Sequence, residues 1–408
     1  MIPIINNCKE LDKEFHKYKD IFSKPQLRHF TNYCTGLVLQ EKRFTINSIN
    51  KLFVSEDSSK DQSSLNRFLK DSPWSEKRLS IKRLRQLNNS PKTKTKESGY
   101  IILDDSSIPK TGSHMEAAGL HWSASENRTI FGHNMVSLHY ADKDKEYPLI
   151  PQIYRKKEHC RKDTFKTKIG IAIELLTDAI KKGLVKAKTC LFDSWYLSKK
   201  LVKHILSLGL NWITRVSKQR GFRYNNQYTN LYSFMTFDLK RDQLKTKTRI
   251  SKDEFYFSYS FTANLSKIGK VKLVFASEDP QNKTIPIVCL ASNQTELSDE
   301  QIITRYLLRT KIDSFYRDAK QFLGLGGYMV RHVKGVVRHL HLVFFAYGLL
   351  ETLRLRKNIM SWLKDKINTV GKLCQFVRNI FMRNLIKWTH SLFRRKVPIY
   401  KVLAMLKI

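Results

Sequence analysis

Residues 188–216 read KTCLFDSWYLSKKLVKHILSLGLNWITRV and contain the pattern that decides the fold class. The short apolar run in KTCLFD predicts a buried strand, YLSKKLVKHILSLG has apolar residues at helical spacing, and NWITRV predicts a second strand. Strand, helix and strand in succession are typical of an α/β layer. Asp193 ends the first of these strands, so we expect it at the carboxyl edge of a sheet, where ligands of open α/β folds bind.

The same alternation extends upstream to residue 99. GYIILDD predicts a strand that carries Asp104, and FKTKIGIAIELLTDAIKKG predicts a helix. Two further strands are predicted in HNMVSLHYAD and YPLIPQIYRK. The order between residues 99 and 217 is therefore three strands, helix, strand, helix, strand, with Asp104 on the first strand and Asp193 ending the fourth. This order predicts a mixed α/β core.

A third candidate acid lies downstream, in RYLLRTKIDSFYRDAKQFLGLGGY at residues 305–328. Four residues fall at intervals of three, four and seven, namely Tyr306, Arg309, Asp313 and Lys320. On a single helix at about 100° per residue, these positions and Tyr316 share an arc of roughly 80°. Asp318 points to the far side, so Asp313 is the preferred carboxylate. The alternative is an amphipathic helix with solvated charges.

Carboxylates at these positions suit metal binding. A carboxylate at the end of an apolar strand is costly to desolvate unless it is paired or coordinates a metal. Asp104, Asp193 and Asp313 together could hold two Mg²⁺ or Mn²⁺ ions, which prefer carboxylate and water ligands. For either strand-end acid the alternative is a helix N-cap or a turn. Asp105 should face the other side of its strand and is the second choice for the first acid.

The order and spacing of these residues resemble the DDE transposases of prokaryotic insertion sequences. The cut-and-paste subgroup has a signature of Tyr, two residues, Arg, three residues, Glu, six residues and Lys, which reads Tyr306, Arg309, Asp313 and Lys320 here, with Asp in place of Glu. LDDSSIPKTG is similar to the family's first-acid block and FDSWYLSKKLVKHILSLGLNWITRV to its second. The resemblance covers roughly residues 99–350.

The resemblance implies a ribonuclease H-like core with Asp104, Asp193 and Asp313 as catalytic, metal-binding residues. It assigns Tyr306, Arg309 and Lys320 to binding of the DNA backbone. The implied reaction is metal-dependent cleavage at the element's ends, followed by transfer of the 3′ ends into target DNA. A homodimer assembled on DNA ends, paired through the C-terminal region, is also implied.

The remaining segments fit around this core. Residues 1–90 predict a helical DNA-binding domain, in which TINSINKLF and SSLNRFLKDSPW could form a helix-turn-helix. A purely structural role is the alternative, and NNSPKTKTKESG predicts the linker that follows. Residues 218–295 predict a β-rich insertion, from EFYFSYSFTANL, KVKLVFASE and TIPIVCLAS. Residues 296–350 complete the core with the third-acid helix, and residues 351–408 predict a helical C-terminal region.

By resemblance, the insertion contacts the transposon end, where an aromatic can stack on a displaced base. The insertion has no Trp, so this would fall to Tyr or Phe. Ordinary packing in the sheet is the alternative for any one of these aromatics.

Composition agrees with a nucleic-acid partner. The chain of 408 residues has 74 Lys and Arg against 36 Asp and Glu, a net charge of +38. Such a surface attracts double-stranded DNA, with a strong salt dependence. The apolar run LHLVFFAYGLLETL is short of a membrane span and predicts a core helix. The N-terminus lacks the apolar segment of a secretory signal, so we expect a cytoplasmic, nucleoid-associated protein.

Six scattered cysteines form no zinc pattern and no disulfide framework. Two alternatives to a transposase remain open. One is a ribonuclease H-like nuclease without strand transfer, and the other is a non-catalytic or decayed transposase-derived DNA-binding protein.

Overall fold

The computed structural model describes residue 4 and residues 9–54, 62–112, 114–123, 126–160, 164–355 and 369–406. The helices in these ranges are α1 (Lys9–His16), α2 (Lys24–Leu39), α3 (Ile46–Asn50), α4 (Gln62–Lys70), α5 (Glu76–Asn88), α6 (Lys168–Lys181), α7 (Lys199–Ser207), α8 (Leu231–Ser233), α9 (Asp299–Leu307), α10 (Thr310–Phe322), α11 (Val333–Leu355), α12 (Val370–Arg394) and α13 (Ile399–Leu406). The strands are β1 (Tyr100–Pro109), β2 (Gly119–Ser123), β3 (Arg128–Ala141), β4 (Glu146–Tyr154), β5 (Thr189–Phe192), β6 (Asn211–Arg215), β7 (Gly221–Tyr224), β8 (Gln227–Asn230), β9 (Thr246–Arg249), β10 (Phe255–Leu265), β11 (Gly269–Ser277) and β12 (Val288–Ser292).

The strands of the described ranges form one mixed sheet. Its order is β2, β3, β1, β5, β6, β12, β11, β10, β7 and β8, with β4 paired to β3 and β9 paired to β10. β1, β5 and β6 are parallel, and α7 makes the crossover that a parallel pair requires between β5 and β6. The mixed α/β fold predicted from the sequence is confirmed: a large mixed sheet is flanked by helical N- and C-terminal parts.

Two details of the predicted core are wrong. The structure has four strands before α6 rather than three, because the short edge strand β2 pairs with β3; Asp193 therefore follows the fifth strand. β1 also continues past Asp104 to Pro109, held by antiparallel pairing with β3 along its whole length. Only its parallel ladder with β5 stops early, at the pair Leu103 and Phe192.

The β-rich insertion extends the core sheet. Its strand β12 pairs with β6 of the core, and β11, β10, β7 and β8 follow in order. The core strands and the insertion therefore form one continuous sheet.

Residues of β1 alternate between two hydrophobic cores. Ile102 belongs to a core that includes the N-terminal helices together with α10, α11 and α12. Ile101 and Leu103 belong to the core under α6 and α7. Because alternate side chains of a strand point to opposite faces, Asp104 lies on the first side and Asp105 on the second.

The predicted core helix LHLVFFAYGLLETL is confirmed as part of α11. Among the described helices α11 is long and apolar enough to cross a membrane, but 83% of the relevant window is buried inside the protein. Arg338 on α11 is buried and donates hydrogen bonds to the carbonyl oxygens of Leu69 and Ser72, at 3.0 and 2.7 Å. These bonds fix the N-terminal helices to the core.

The N-terminal part is helical, as predicted. Both helices of the suggested helix-turn-helix form, as α3 and α4, but residues 55–61 between them lie outside the described part of the chain. The predicted linker at residues 88–99 packs against the sheet, since Thr93 is 2% exposed and its carbonyl accepts from Tyr147 Oη at 2.9 Å. DNA binding by this region stays a prediction, as do the domain boundaries.

The third-acid segment forms two helices, contrary to the single helix predicted. α9 ends at Leu307 and α10 begins at Thr310, so Tyr306 lies on the first and Asp313 on the second. At the junction, the amide of Arg309 donates to the carbonyl of Tyr306, and the amide of Ile312 donates to that of Arg309. Bonds between residues three apart tighten the turn, and this places Arg309 at the corner between the helices.

Candidate active site

The first two acids meet where the parallel ladder ends. Leu103 on β1 pairs with Phe192 on β5, so Asp104 and Asp193 are the next residues on two adjacent strands. The cleft at this edge has a volume of about 720 Å³. Five of the six residues predicted for the site line it, namely Asp104, Asp193, Arg309, Asp313 and Lys320.

Tyr306 is the exception, because it does not line the cleft. Burial raises the pKa of its phenol to about 12, with the nearby Asp193 carboxylate adding to the rise and Arg309 and Arg215 opposing it. Tyr306 is thus partly buried near Asp193 and is not among the residues that line the cleft. Binding of DNA by Tyr306 stays a prediction.

Asp104 is the most deeply buried acid of the cleft, at 8% exposure. Its Oδ2 accepts a hydrogen bond from Arg309 Nη2 at 2.7 Å, and its Oδ1 accepts one from the Asp105 amide at 2.9 Å. Burial raises the pKa of Asp104 to about 7, although the Arg309 guanidinium opposes the shift. The carboxylate is thus short of favourable charge partners, and an added cation would stabilise it.

Arg309 joins the first and third acids. Its Nη1 lies 3.1 Å from Asp313 Oδ2, while its Nη2 holds Asp104. The side chain of Asp313 is 52% exposed, whereas that of Arg309 is 18% exposed. A single guanidinium therefore occupies the space between two acids that the sequence places more than two hundred residues apart.

Asp193 has the local role that its position suggested as an alternative. Its Oδ1 accepts hydrogen bonds from the amide and the hydroxyl of Ser194, the latter at 3.1 Å, and so caps the short helix Ser194–Tyr196. Capping uses one carboxylate oxygen in these bonds. Since Asp193 also lines the cleft, the cap and a ligand role are compatible.

Tyr316 fastens α10 to the sheet. Its hydroxyl lies 2.8 Å from Ser137 Oγ on β3 and donates to the carbonyl oxygen of Asp104 at 3.1 Å. The side chain is 6% exposed. Because Tyr316 lies on the same helix as Asp313, these bonds set the distance between the first and third acids.

Asp105 supports the opposite wall of the cleft. Its carboxylate accepts from Lys168 Nζ at 2.7 Å, Tyr196 Oη at 3.0 Å and Asn134 Nδ2 at 3.0 Å. Asp105 thus faces the other side of β1, as its place in the strand predicted. Reasoning from sequence missed Lys168, and the available signal was its place at the start of a predicted helix that follows the sheet.

Two further residues of the cleft were missed, Trp122 on β2 and Trp195 just after Asp193. An aromatic close behind the second acid was noticed in the sequence, but its exposure was not predictable. In the insertion, Tyr228, Tyr232 and Phe237 are 68%, 57% and 78% exposed. These three aromatics do not pack into the sheet, unlike most others there.

The donor set suits a hard divalent cation, since the cleft is lined by four carboxylates, those of Asp104, Asp105, Asp193 and Asp313, and by no thiol. The raised pKa of the buried Asp104 also indicates an acid that a cation would stabilise. Yet within the described ranges no group of three or more Asp, Glu, His or Cys side chains lies close enough to hold one ion. Arg309 lies between Asp104 and Asp313 instead. The types of residue in the cleft therefore suit a divalent cation, but the guanidinium occupies the space between the first and third acids.

A mixed sheet with acids at the end of its parallel ladder, in a cleft that also carries cations, is consistent with a nuclease-type enzyme. Family models agree: a DDE superfamily endonuclease model matches residues 17–230, which is more than half of the chain, and a transposase DDE domain model matches residues 167–349. The chain belongs to the DDE superfamily endonucleases, and the second match supports a DDE transposase that uses DNA as substrate.

The two matches together include all three acids, with Asp193 in both. Among solved structures, the NurA nuclease from Sulfolobus solfataricus is similar at 11% identity over 70% of this chain and 92% of that chain, with a TM-score of 0.27. A search of curated proteins gave no match.

Proposed function

We propose that the protein is an insertion-sequence transposase that cleaves DNA at the element's ends and joins the 3′ ends to target DNA. The observation that carries this proposal is the meeting of Asp104, Asp193 and Asp313 in one cleft with Arg309 and Lys320. Acids that converge from three distant segments beside cations, one of them with a raised pKa, are typical of functional sites.

The ions proposed for this site are two Mg²⁺ or Mn²⁺ held by Asp104, Asp193 and Asp313. When bound, they would neutralise charge on the phosphate and acidify the attacking water or 3′-hydroxyl. Tyr316 fixes the position of Asp313 relative to Asp104. The capping bonds of Asp193 orient the Asp193 carboxylate. Lys320, at the other end of α10, supplies a point charge for the DNA backbone.

In this proposal Arg309 binds the acids when DNA is absent and a DNA phosphate when DNA is present. Without DNA it neutralises Asp104 and Asp313. A DNA phosphate competes for the guanidinium, because Arg binds phosphate through two parallel hydrogen bonds as readily as it binds carboxylate. In this proposal the arrival of DNA draws Arg309 away from the acids and opens them to ions. DNA and metal therefore bind cooperatively.

The test uses purified protein with DNA from either side of its gene, in Mg²⁺. Asp104→Ala, Asp193→Ala and Asp313→Ala should each abolish cleavage while DNA binding survives. Asp318→Ala is the matched control, because Asp318 is on the same helix as Asp313, pairs with Arg317 and does not line the cleft. Normal cleavage by Asp313→Ala would remove Asp313 from the mechanism, and cleavage without joining of pre-cut ends would favour the plain nuclease.

Two observations favour a second candidate, a non-catalytic DNA-binding protein derived from a transposase. The acids do not form a ready three-ligand group in the described residues, and the third acid is Asp where the family signature has Glu. Asp313→Glu discriminates between the two candidates. A catalytic protein should keep or gain metal-dependent cleavage in this variant, whereas a decayed protein should stay inactive.

The assembly and place of action complete the proposal. The N-terminal helices would bind the element's ends, with Arg67 and Lys70 in the last turn of α4 as candidate contacts. The C-terminal helices would pair two copies on DNA, in the cytoplasm at the nucleoid. Light scattering with and without end DNA would test the pairing.

A further inference from the structure

A second pocket lies where α5, α6, α11 and β4 meet, and it shares no lining residue with the cleft that contains the three acids. Its volume is about 300 Å³, which is at the lower end of the range for small-molecule sites. Protein interiors contain few voids larger than a water molecule, because side chains pack closely. A pocket of this size between four elements is therefore a candidate ligand site.

The walls of this pocket are aliphatic. All four elements and the turn after α6 contribute to them, with side chains that include Ile81, Ile153, Ile171, Leu175, Leu184 and Val337. Among the described lining residues, the one aromatic ring is that of His341. Planar ligands gain from stacking on aromatic rings. The walls therefore suit a flexible aliphatic chain better than a planar ring.

The buried polar side chains of the pocket satisfy each other. Ser80 and His341 are 1% and 6% exposed, and Ser80 Oγ lies 2.7 Å from His341 Nδ1. Burial lowers the pKa of His341 to about 3, so the imidazole is neutral at pH 7. None of the described lining residues has a buried polar side-chain atom without a partner. The interior of the pocket therefore demands no hydrogen bond from a ligand, and an apolar chain fits it.

The mouth of the pocket carries a guanidinium without an acid. The exposed ammonium groups of Lys77 and Lys166 pair with Asp178 at 2.8 Å and with Glu174 at 2.5 Å. Arg155, which is exposed just after β4 and also lines the pocket, forms an ion pair with no acid among the residues that the structure describes. An Arg side chain in this state can bind a carboxylate through two parallel hydrogen bonds.

We propose that this pocket binds an aliphatic monocarboxylate, with its chain between the aliphatic walls and its carboxylate on Arg155 at the mouth. Burial of the chain supplies most of the affinity, and Arg155 selects the anion. The ligand contacts α5 of the N-terminal part together with α6, α11 and β4 of the core. It therefore stabilises the packing of these parts, because a ligand that binds only the folded state raises stability.

The test is titration calorimetry of the full-length protein with octanoate at fixed salt, without DNA or metal. The wild-type protein should bind one octanoate per chain. Hexanoate should bind about ten-fold more weakly, because two fewer methylenes are buried. 1-Octanol has the same chain without the charge, and it should also bind about ten-fold more weakly, because it lacks the charged partner for Arg155.

Substitutions of Arg155 test the selection of the anion. Arg155→Gln should weaken octanoate binding about ten-fold and leave the affinity for 1-octanol unchanged, whereas Arg155→Lys should retain part of the octanoate affinity. Lys157→Gln is the matched control, because Lys157 is exposed two residues away and does not line the pocket. It removes the same charge from the same surface and should leave octanoate binding unchanged. Equal affinity for octanoate and 1-octanol, or equal effects of Arg155→Gln and Lys157→Gln, would overturn the proposal.

Val337→Phe tests the pocket itself, since the larger side chain fills the space between the walls. It should abolish the binding of both octanoate and 1-octanol, and thermal unfolding shows whether the variant is folded. If it does not fold, the Arg155 variants still decide, because Arg155 is at the surface. Absence of saturable octanoate binding to the wild-type protein, or unchanged binding to folded Val337→Phe, would overturn the site. The inference is independent of the proposed function, because no residue of the cleft takes part.

Discussion

Asp104 and Asp105 are neighbours on β1, yet they face opposite sides of the sheet and have different surroundings. Asp105 is held by three side-chain donors, from Lys168, Tyr196 and Asn134. Within the described part of the chain Asp104 has one side-chain partner, Arg309, and burial raises the pKa of Asp104 to about 7. A fully satisfied carboxylate maintains structure, whereas a buried carboxylate with one displaceable cation is prepared to bind another. From this difference we expect Asp105 to be a supporting acid and Asp104 to be a reactive one.

The largest expected effect is the loss of cleavage in Asp104→Asn. Residues that act as a unit lose nearly the whole rate enhancement when one is removed, so the rate should fall about 10³-fold or more. Asp105→Asn should keep most of the cleavage activity, because Asp105 touches other protein groups. A gel assay with end DNA and Mg²⁺ measures both. A greater loss in Asp105→Asn than in Asp104→Asn would reverse the two roles.

The second prediction concerns stability and pH. The folded protein binds the Asp104 proton more tightly than the unfolded chain, because the folded pKa is about 7 against an ordinary value of 3.8. Stability from this group is therefore present at low pH and declines as pH rises between about 4 and about 7. The complete shift corresponds to roughly 4 kcal/mol.

Asp104→Asn removes this titration. Denaturant unfolding at several pH values should therefore show that the free energy of unfolding of the variant increases relative to that of the wild-type protein as the pH rises from about 4 to about 7. Other acids titrate alike in both proteins and cancel in the difference. A difference in stability that stays constant with pH would contradict the raised pKa.

The contrast between the two acids was only partly predictable. Short apolar runs before Asp104 and Asp193, and the spacing of Arg309, Asp313 and Lys320, depend on local sequence and were sufficient to find the cleft. Asp105 faces the side of the sheet opposite to Asp104 because successive side chains of a strand alternate between the two faces. The family resemblance supplied the expectation that the three acids share one site.

What could not be predicted depends on contacts between distant segments. Lys168 reaches Asp105 across 63 residues, and Trp122 lies on a five-residue edge strand that pairs with β3. The tight turn at Arg309 could not be predicted either, because its sequence contains no Gly or Pro. Tyr306 was assigned to the cleft for the same reason, since a single straight helix would have placed it there.

A third prediction addresses the supporting role of Asp105. Asp105→Ala leaves Lys168 without its carboxylate partner and Asn134 without one acceptor. A partly buried donor that loses its acceptor costs about 1–3 kcal/mol, so the free energy of unfolding should fall by about that amount. Glu126→Ala is the control, because its ion pair with Arg128 is at the surface and should contribute little. Equal effects of the two substitutions on chemical denaturation would argue against a structural role for Asp105.

The smallest expected effect tests Arg309 as the cation between the acids. Arg309→Gln removes the guanidinium that holds Asp104 and Asp313, so Mn²⁺ should bind the DNA-free protein about ten-fold more tightly, or about 1.4 kcal/mol. Arg317→Gln is the matched control, because Arg317 also lines the cleft but pairs with Asp318. Titration calorimetry with Mn²⁺ measures both variants. If Arg309→Gln binds Mn²⁺ no better than Arg317→Gln does, the guanidinium does not compete with the ion. The proposed coupling between DNA and metal would then be wrong, because the acids would be equally open to ions with Arg309 in place.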